Sequence, residues 1–87
     1  MKVKNMVSPR SGREVANQFI IYGDNGERTF QSYRTVIARI ANGQTILDPN
    51  WDYSNTTGKY RNLFLGESKR ETEAKIKAGT YIITNLN

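Results

Sequence analysis

The sequence predicts an α+β protein: a single small domain with a three- to four-stranded, mainly antiparallel sheet and helices on one face. Three observations predict this class. The chain of 87 residues has room for one hydrophobic core and no second domain. Runs of β-branched and aromatic residues alternate with segments of helical spacing. Glycine, asparagine and proline separate these segments, and the resulting order of elements is ββαβααβ.

The domain is predicted to occupy residues 15–87 and to follow a flexible basic N-terminal arm, residues 1–14. Serine, proline and glycine between residues 8 and 12 disfavour regular structure in this arm. The first thirteen residues contain four cationic side chains and no acidic one: Lys2, Lys4, Arg10 and Arg13. Any role of the arm is therefore expected to depend on its charge.

A hairpin and a helix are predicted to begin the domain. Val15–Tyr22 is rich in β-branched and aromatic residues, Asn25-Gly26 suits a type I′ turn, and Arg28–Gln31 pairs back as the second strand. Ser32 is a favourable N-cap for a first helix that Asn42-Gly43 ends. Apolar side chains at i, i+3, i+4 and i+7 give this helix one buried face: Tyr33, Val36, Ile37 and Ile40.

A third strand and a second helix follow. Gln44–Leu47 has strand character, and Pro49 cannot continue a ladder of hydrogen bonds. The second helix begins at Ser54 or Thr56 and ends at Gly66. Its predicted inward side chains are Tyr60, Leu63 and Phe64.

A third helix and a last strand complete the predicted fold. Ser68 and Glu71 have the spacing of a capping box, and Gly79 closes the helix. The helix is mostly polar, with two pairs of opposite charge at i, i+4: Glu71 with Lys75, and Glu73 with Lys77. Thr80–Thr84 is a β-branched run and is predicted to be the last strand.

The composition excludes several kinds of catalysis. The chain contains no histidine and no cysteine, so it has no Ser-His-Asp or Cys-His centre, no thiolate zinc site and no disulfide. We therefore predict a protein that is not an enzyme and that uses no cofactor. Its longest apolar run, Phe19–Tyr22, has the length of a strand, and a cytoplasmic protein is expected.

Two weaker chemical interpretations concern acidic residues. Glu73-Ala74-Lys75 has the Glu-x-Lys spacing of metal-dependent nucleases, but a solvated helix with ion pairs is favoured there. Three carboxylates have the chemistry of Mg²⁺ or Ca²⁺ ligands: Asp48, Asp52 and Glu67. Turn chemistry is favoured for the first two, because they flank the sequence Pro-Asn-Trp.

A net charge of +5 favours nucleic acid as a partner. The predicted nucleic-acid-binding surface combines cations of the arm and of all three helices: Arg10, Arg13, Arg34, Lys59, Arg61 and Lys69. Aromatic residues interleave with them and are able to stack on unpaired bases: Tyr33, Trp51, Tyr53 and Tyr60. An ordinary solvated surface around an aromatic core explains the same residues without any ligand.

A protein-binding surface is the alternative. A partly exposed ring cluster is typical of an interaction hot spot, and the candidate residues are Trp51, Tyr53, Thr57 and Tyr60. For Trp51 itself, a structural role as the anchor of its loop is favoured. Thr57 and Lys59 have no packing role that the sequence reveals, and we expect both to be exposed.

Two segments of the chain resemble a pattern in small uncharacterised proteins of bacteriophages and related mobile elements. These segments are Ser32–Ala38, and Trp51–Tyr60 with Phe64 after it; Ser-x-Thr-Thr-x-Lys-Tyr is the most specific part. The resemblance covers residues 15–87 and implies no established activity. It implies an accessory protein in a bacterial host cell that binds nucleic acid or a nucleic-acid-handling complex. The alternative is a protein-directed inhibitor of a host defence system, such as an anti-CRISPR or anti-restriction protein.

Overall fold

Six strands form one sheet in the order in which they occur along the chain, and two helices follow the fifth strand. The computed structural model describes residues 1–87. The strands are β1 (Lys2–Val7), β2 (Glu14–Tyr22), β3 (Arg28–Ser32), β4 (Thr35–Ala41), β5 (Gln44–Leu47) and β6 (Ile82–Ile83). The helices are α1 (Asn55–Leu65) and α2 (Lys69–Lys77). Neither helix is long and apolar enough to cross a membrane.

Strands β1 to β5 form an antiparallel meander, and β6 joins β5 in parallel. One row of paired residues crosses the meander and faces the helices: Lys4, Ile20, Phe30, Ala38 and Leu47. Phe30 of this row stacks on Phe64 of α1, with ring centroids 5.8 Å apart. The core therefore lies between the sheet and α1. The α+β class with helices beside a mainly antiparallel sheet is confirmed, whereas the strand number is six and not three to four.

The two helices begin and end where their capping residues predict. The Ser54 hydroxyl accepts a hydrogen bond from the Thr57 amide, so Ser54 and not Thr56 is the N-cap of α1. Gly66 adopts a φ of 71° after the last turn. Ser68 and Glu71 form the predicted capping box of α2. Leu63 departs from the prediction, because it points outward and is exposed.

The predicted helix from Ser32 to Ile40 is wrong, because this segment forms β4. A bulge in β4 places Ile37 and Ala38 both in the core, so the apolar residues do not alternate and imitate helical spacing. The supposed stop, Asn42-Gly43, has φ values of 53° and 73° and is the turn between β4 and β5. By contrast, only Gly26 of the predicted type I′ turn has a positive φ, and the β2–β3 hairpin has a longer loop.

The predicted flexible arm is also corrected, since Lys2–Val7 is strand β1 and pairs with β2. Met6 is buried in the core. Residues 8–13 form a closed loop in which the Ser8 amide donates to the Arg13 carbonyl at 2.9 Å. The pairing of β1 depends on a strand that lies beyond this loop, which explains why local composition did not reveal it.

The chain after β6 is held by Asp48. This buried carboxylate accepts hydrogen bonds from the Leu86 amide at 2.9 Å and from the Asn87 side chain at 3.0 Å. The Asn87 side chain also accepts from the Val36 amide at 2.8 Å and donates to the Val36 carbonyl at 3.1 Å. The predicted last strand is therefore reduced to Ile82–Ile83, and side-chain bonds fix the residues that follow.

The N-cap of α1 provides a first test of this fold. Replacing Ser54→Ala removes the acceptor of the Thr57 amide and is expected to lower the free energy of unfolding by about 1 kcal/mol. The matched control is Thr56→Ala, which changes a neighbouring exposed hydroxyl that caps nothing, and it should stay within about 0.5 kcal/mol of the wild type. Urea unfolding monitored by circular dichroism measures both. Equal losses in the two variants would contradict the assignment of the cap.

Candidate nucleic-acid interface

A groove runs along α1 on the helix-covered side of the sheet. It consists of two adjoining clefts that share Pro9 and Leu63 as walls. One cleft, of about 440 Å³, lies between the β1–β2 loop, α1 and the start of α2. The other, of about 320 Å³, continues over β1 and β2. We call these two clefts together the basic groove.

Lysine side chains from three elements line the basic groove. Lys59 comes from α1, Lys69 from α2 and Lys4 from β1. Beyond Lys4, strand pairing places Lys2 and Arg28 on either side of Tyr22, and all three face the helix-covered side. Tyr22 is partly exposed, so the ring lies at the end of the groove with cations on both flanks.

A buried arginine organises the other end of the groove. Arg61 is only 1 % exposed, and its guanidinium lies 5.0 Å from the centre of the Trp51 ring. Its Nη1 donates to the Trp51 carbonyl at 2.8 Å and to Asp52 Oδ1 at 3.0 Å, and its Nη2 donates to Asn62 Oδ1 at 2.9 Å. Arg61 therefore joins the loop before α1 to the helix itself.

Asp52 is the only carboxylate that lines the basic groove, and two cations neutralise it. Arg61 engages one oxygen, and Lys69 Nζ lies 2.6 Å from the other. Burial raises the pKa of Asp52, but the hydrogen bonds from Lys69 and Arg61 outweigh it, so this pKa lies below its usual value. The hydrogen bond to Asp52 raises the pKa of Lys69 in turn. The groove is consequently positive throughout the neutral pH range.

The structure brings some of the predicted nucleic-acid-binding residues together. Lys59, Lys69 and Arg61 line the same cleft, but Arg61 is buried, which corrects the expectation that it is exposed. Arg10 and Arg13 are exposed in the β1–β2 loop, next to the Pro9 wall. Arg34 lies in the β3–β4 turn and lines neither cleft.

The predicted protein-binding set is divided by burial. Tyr53 is 53 % exposed, and Trp51 is partly exposed. Thr57 and Tyr60 are buried, so the expected exposure of Thr57 is wrong, whereas Tyr60 lies inward as predicted for this helix and is not available as a surface residue. Thr57 lies on the inner side of α1, where its hydroxyl is 2.8 Å from that of Ser32 on β3. It thus has the packing role that the sequence did not reveal.

Asp48 and Glu67, the other two carboxylates considered as cation ligands, make separate structural contacts. Asp48 holds the end of the chain, and Glu67 accepts from Lys75 Nζ at 2.6 Å and from the Tyr81 hydroxyl at 2.8 Å. Acidic side chains nowhere form a group of three that would hold a metal ion. Lys75 pairs with Glu67 and not with Glu71, its predicted partner. The Glu71 side chain instead accepts from the Ser68 amide at the start of α2.

Lys4 and Tyr22 line the basic groove although the sequence did not predict either of them as a binding residue. The signal was present in the alternation of β1, where every second residue faces the same side and Lys2, Lys4 and Met6 share it. The prediction of a flexible arm gave this alternation no meaning, because a flexible segment presents no defined face.

The planar guanidinium of Arg61 should be irreplaceable. Arg61→Lys keeps the charge but loses the fork that reaches Trp51, Asp52 and Asn62 together, so we expect a loss of about 2 kcal/mol or more in the free energy of unfolding. The control Arg70→Lys changes an exposed arginine without an ion pair and should be neutral within about 0.5 kcal/mol. Urea denaturation compares them, and a neutral Arg61→Lys would contradict the role assigned to this side chain.

Glu67 is expected to contribute to acid sensitivity. Burial raises its pKa, but hydrogen bonds from Lys75, Thr72 and Tyr81 together lower it below the ordinary 4.5. Because the folded-state pKa is the lower one, the stabilisation is complete above about pH 5 and is lost as the pH falls below that range.

Glu67→Gln removes this titration, so the variant should be less stable than the wild type at pH 7, and the difference should shrink between pH 5 and pH 3. Unfolding free energies at pH 7, 5 and 3 measure it. Glu73→Gln is the control, since Glu73 is exposed and makes no ion pair, and at pH 7 it should stay within about 0.5 kcal/mol of the wild type. A constant deficit of Glu67→Gln over this range would contradict the assignment.

Comparison with known proteins gives a family and no function. No curated protein and no solved structure shows significant similarity to the chain. A family profile matches residues 1–80, which include β1, the β1–β2 loop and both helices. The chain therefore belongs to the family of unknown function DUF8033.

Proposed function

We propose that this protein binds nucleic acid, without catalysis, through the basic groove. The observation that carries the proposal is the charge of that groove: Lys4, Lys59 and Lys69 line it, and its only carboxylate is held by two cations. Lysines in a groove of this kind contact phosphates and release counterions, and no free acidic group opposes an anionic strand.

The aromatic end of the groove supports a strand with unpaired bases. Tyr22 offers a partly exposed ring between Lys2 and Arg28. A base stacked on such a ring contributes about 1 to 3 kcal/mol, while neighbouring cations contact the phosphates. Polar side chains at the other end, such as Asn55, are able to contact sugar and base edges.

Arg61 supports this function indirectly. Its guanidinium is buried, and both Nη1 and Nη2 already donate within the protein, so it is not exposed to contact a strand. By holding Asp52 and the start of α1, it positions Lys59 and Lys69 without contacting the strand. We therefore propose Arg61 as a positioning residue and the three lysines as phosphate contacts.

The phage-type accessory role implied by the resemblance is compatible with this proposal and rests on that resemblance alone. The alternative, a protein-directed inhibitor of a host defence system, is supported by one observation. Trp51 is partly exposed and lines a second groove, which contains none of the three lysines of the basic groove. Tyr53 is the other aromatic residue of the predicted set that reaches solvent.

Fluorescence anisotropy with labelled 15-nucleotide single-stranded DNA, single-stranded RNA and duplex DNA tests the proposal. Binding to at least one single strand is expected, with an affinity that falls on the order of a hundredfold between 50 and 200 mM salt if about five phosphates are contacted. The double variant Lys4→Gln/Lys59→Gln should weaken binding at low salt at least tenfold and reduce the salt dependence.

The matched control is Arg34→Gln with Lys77→Gln, which removes the same charge outside the basic groove. It should bind almost as the wild type does. Absence of binding to every probe, affinity that is insensitive to salt, or equal weakening by the two double variants would each contradict the proposal.

A further inference from the structure

A second groove lies beyond Trp51, beside the edge strand β6. It has a volume of about 500 Å³ and is formed by α2, Trp51 and β6. Its apolar walls are Trp51, Ala74, Ile76 and Ile83, and Arg70, Lys77 and Glu73 surround them. We call it the apolar groove. Since Arg61 stacks on the Trp51 ring, this wall is held in place before any ligand arrives.

The backbone beside the apolar groove has an open edge. The Thr84 amide donates to the Leu47 carbonyl at 2.9 Å, so the backbone groups of Thr84 point toward β5. In a parallel pair these directions alternate along the strand, and the N–H and C=O of Ile83 therefore point away from β5. No other element pairs with this side of β6, because β6 is the last strand of the sheet.

The two edges of the sheet are protected differently. The β1 edge carries Lys2 and Lys4, and lysines on an edge strand discourage pairing with another chain. Residues 82–87 contain no charged side chain. Ile82 and Ile83 are 46 % and 42 % exposed, which is unusual for isoleucine beside an open edge. Although β6 is only two residues long, its edge therefore carries no lysine, other charge or proline that would discourage strand addition.

We propose that this edge and the apolar groove bind an extended, acidic segment of a partner protein. The segment adds a strand to β6 through the free N–H and C=O of Ile83. An apolar side chain of the segment enters the groove against Trp51 and Ala74. Its acidic residues face Arg70 and Lys77, which outnumber Glu73 at the rim of the groove.

Charge also favours this partner over a second copy of the chain. Pairing two β6 edges would bring together the cations at two identical rims, and like charges in one interface disfavour association. An acidic segment meets no such opposition. The partner is therefore defined by three properties: extended backbone, one bulky apolar residue and flanking carboxylates.

The test uses isotope-labelled full-length protein and a panel of ten-residue peptides. Each peptide carries a central leucine or phenylalanine between threonines and valines, with glutamates at both ends. A second panel replaces every glutamate by lysine. Acidic peptides are expected to bind with dissociation constants on the order of 10 to 100 μM and to shift the amide signal of Ile83 and the indole signal of Trp51. The lysine panel should bind at least tenfold more weakly.

Two variants localise the binding. Ala74→Glu places a carboxylate in the groove and should weaken acidic peptides at least tenfold, while Thr56→Glu adds the same charge at an exposed site outside it and should not. Ile83→Pro removes the free N–H without a native hydrogen bond, and it should also weaken binding severalfold while the remaining amide spectrum stays folded.

Several results would overturn the proposal. They are no shift at Ile83 or Trp51 with any acidic peptide at 2 mM, equal binding of the two panels, equal effects of Ala74→Glu and Thr56→Glu, or concentration-dependent dimerisation that occupies the β6 edge. The double variant Lys4→Gln/Lys59→Gln should retain peptide binding. Failure of peptide binding is therefore distinguishable from failure of nucleic-acid binding.

Discussion

The fold depends on the burial of one cation. Taking a guanidinium out of water is costly unless its N–H groups find acceptors. Arg61 donates to the Trp51 carbonyl, Asp52 and Asn62, while its Nε is buried without a partner. Two of these acceptors belong to the loop between β5 and α1, and Asp52 in turn pairs with Lys69 of α2. The hydrogen bonds of Arg61 therefore fix the loop against α1, and the pair of Asp52 with Lys69 ties the start of α2 to both. Both the stability of the fold and the geometry of its surface therefore depend on Arg61.

Both grooves follow from this arrangement. On one side, Asp52 is paired with Arg61 and Lys69, so the basic groove is lined by lysines and has no unpaired carboxylate. On the other side, the Trp51 ring is held against the guanidinium and still contributes an exposed wall to the apolar groove. Without Arg61, Asp52 would keep only Lys69 as its partner, and the tryptophan would lose its support. The buried guanidinium of Arg61 therefore contacts Asp52 of the basic groove on one side and Trp51 of the apolar groove on the other.

Local sequence signals predict both helices, whereas features that depend on distant parts of the chain are not predicted. The caps at Ser54 and Ser68 are decided by residues within three positions, and they appear where the sequence places them. The β4 bulge reverses the alternation of its apolar residues, so Ile37 and Ala38 imitate a helix. Strand β1 is stable only because β2 returns beside it, which its composition does not encode. For the candidate site, charge predicts Lys59, Lys69 and Arg61, and the structure places all three at one cleft. Charge alone suggests that Arg61 is exposed, but its acceptors permit burial.

The proximity of the two grooves gives the two proposals a common electrostatic consequence. Lys69 lines the basic groove and Arg70, the next residue, lines the apolar one. An anionic strand in the first and an acidic segment in the second would both bind beside the N-terminus of α2. Like charges on the two ligands disfavour simultaneous binding, and linkage requires the effect to be equal in both directions. Under the two proposals together, an acidic partner segment would weaken the binding of nucleic acid, and nucleic acid would weaken the binding of that segment to the same extent.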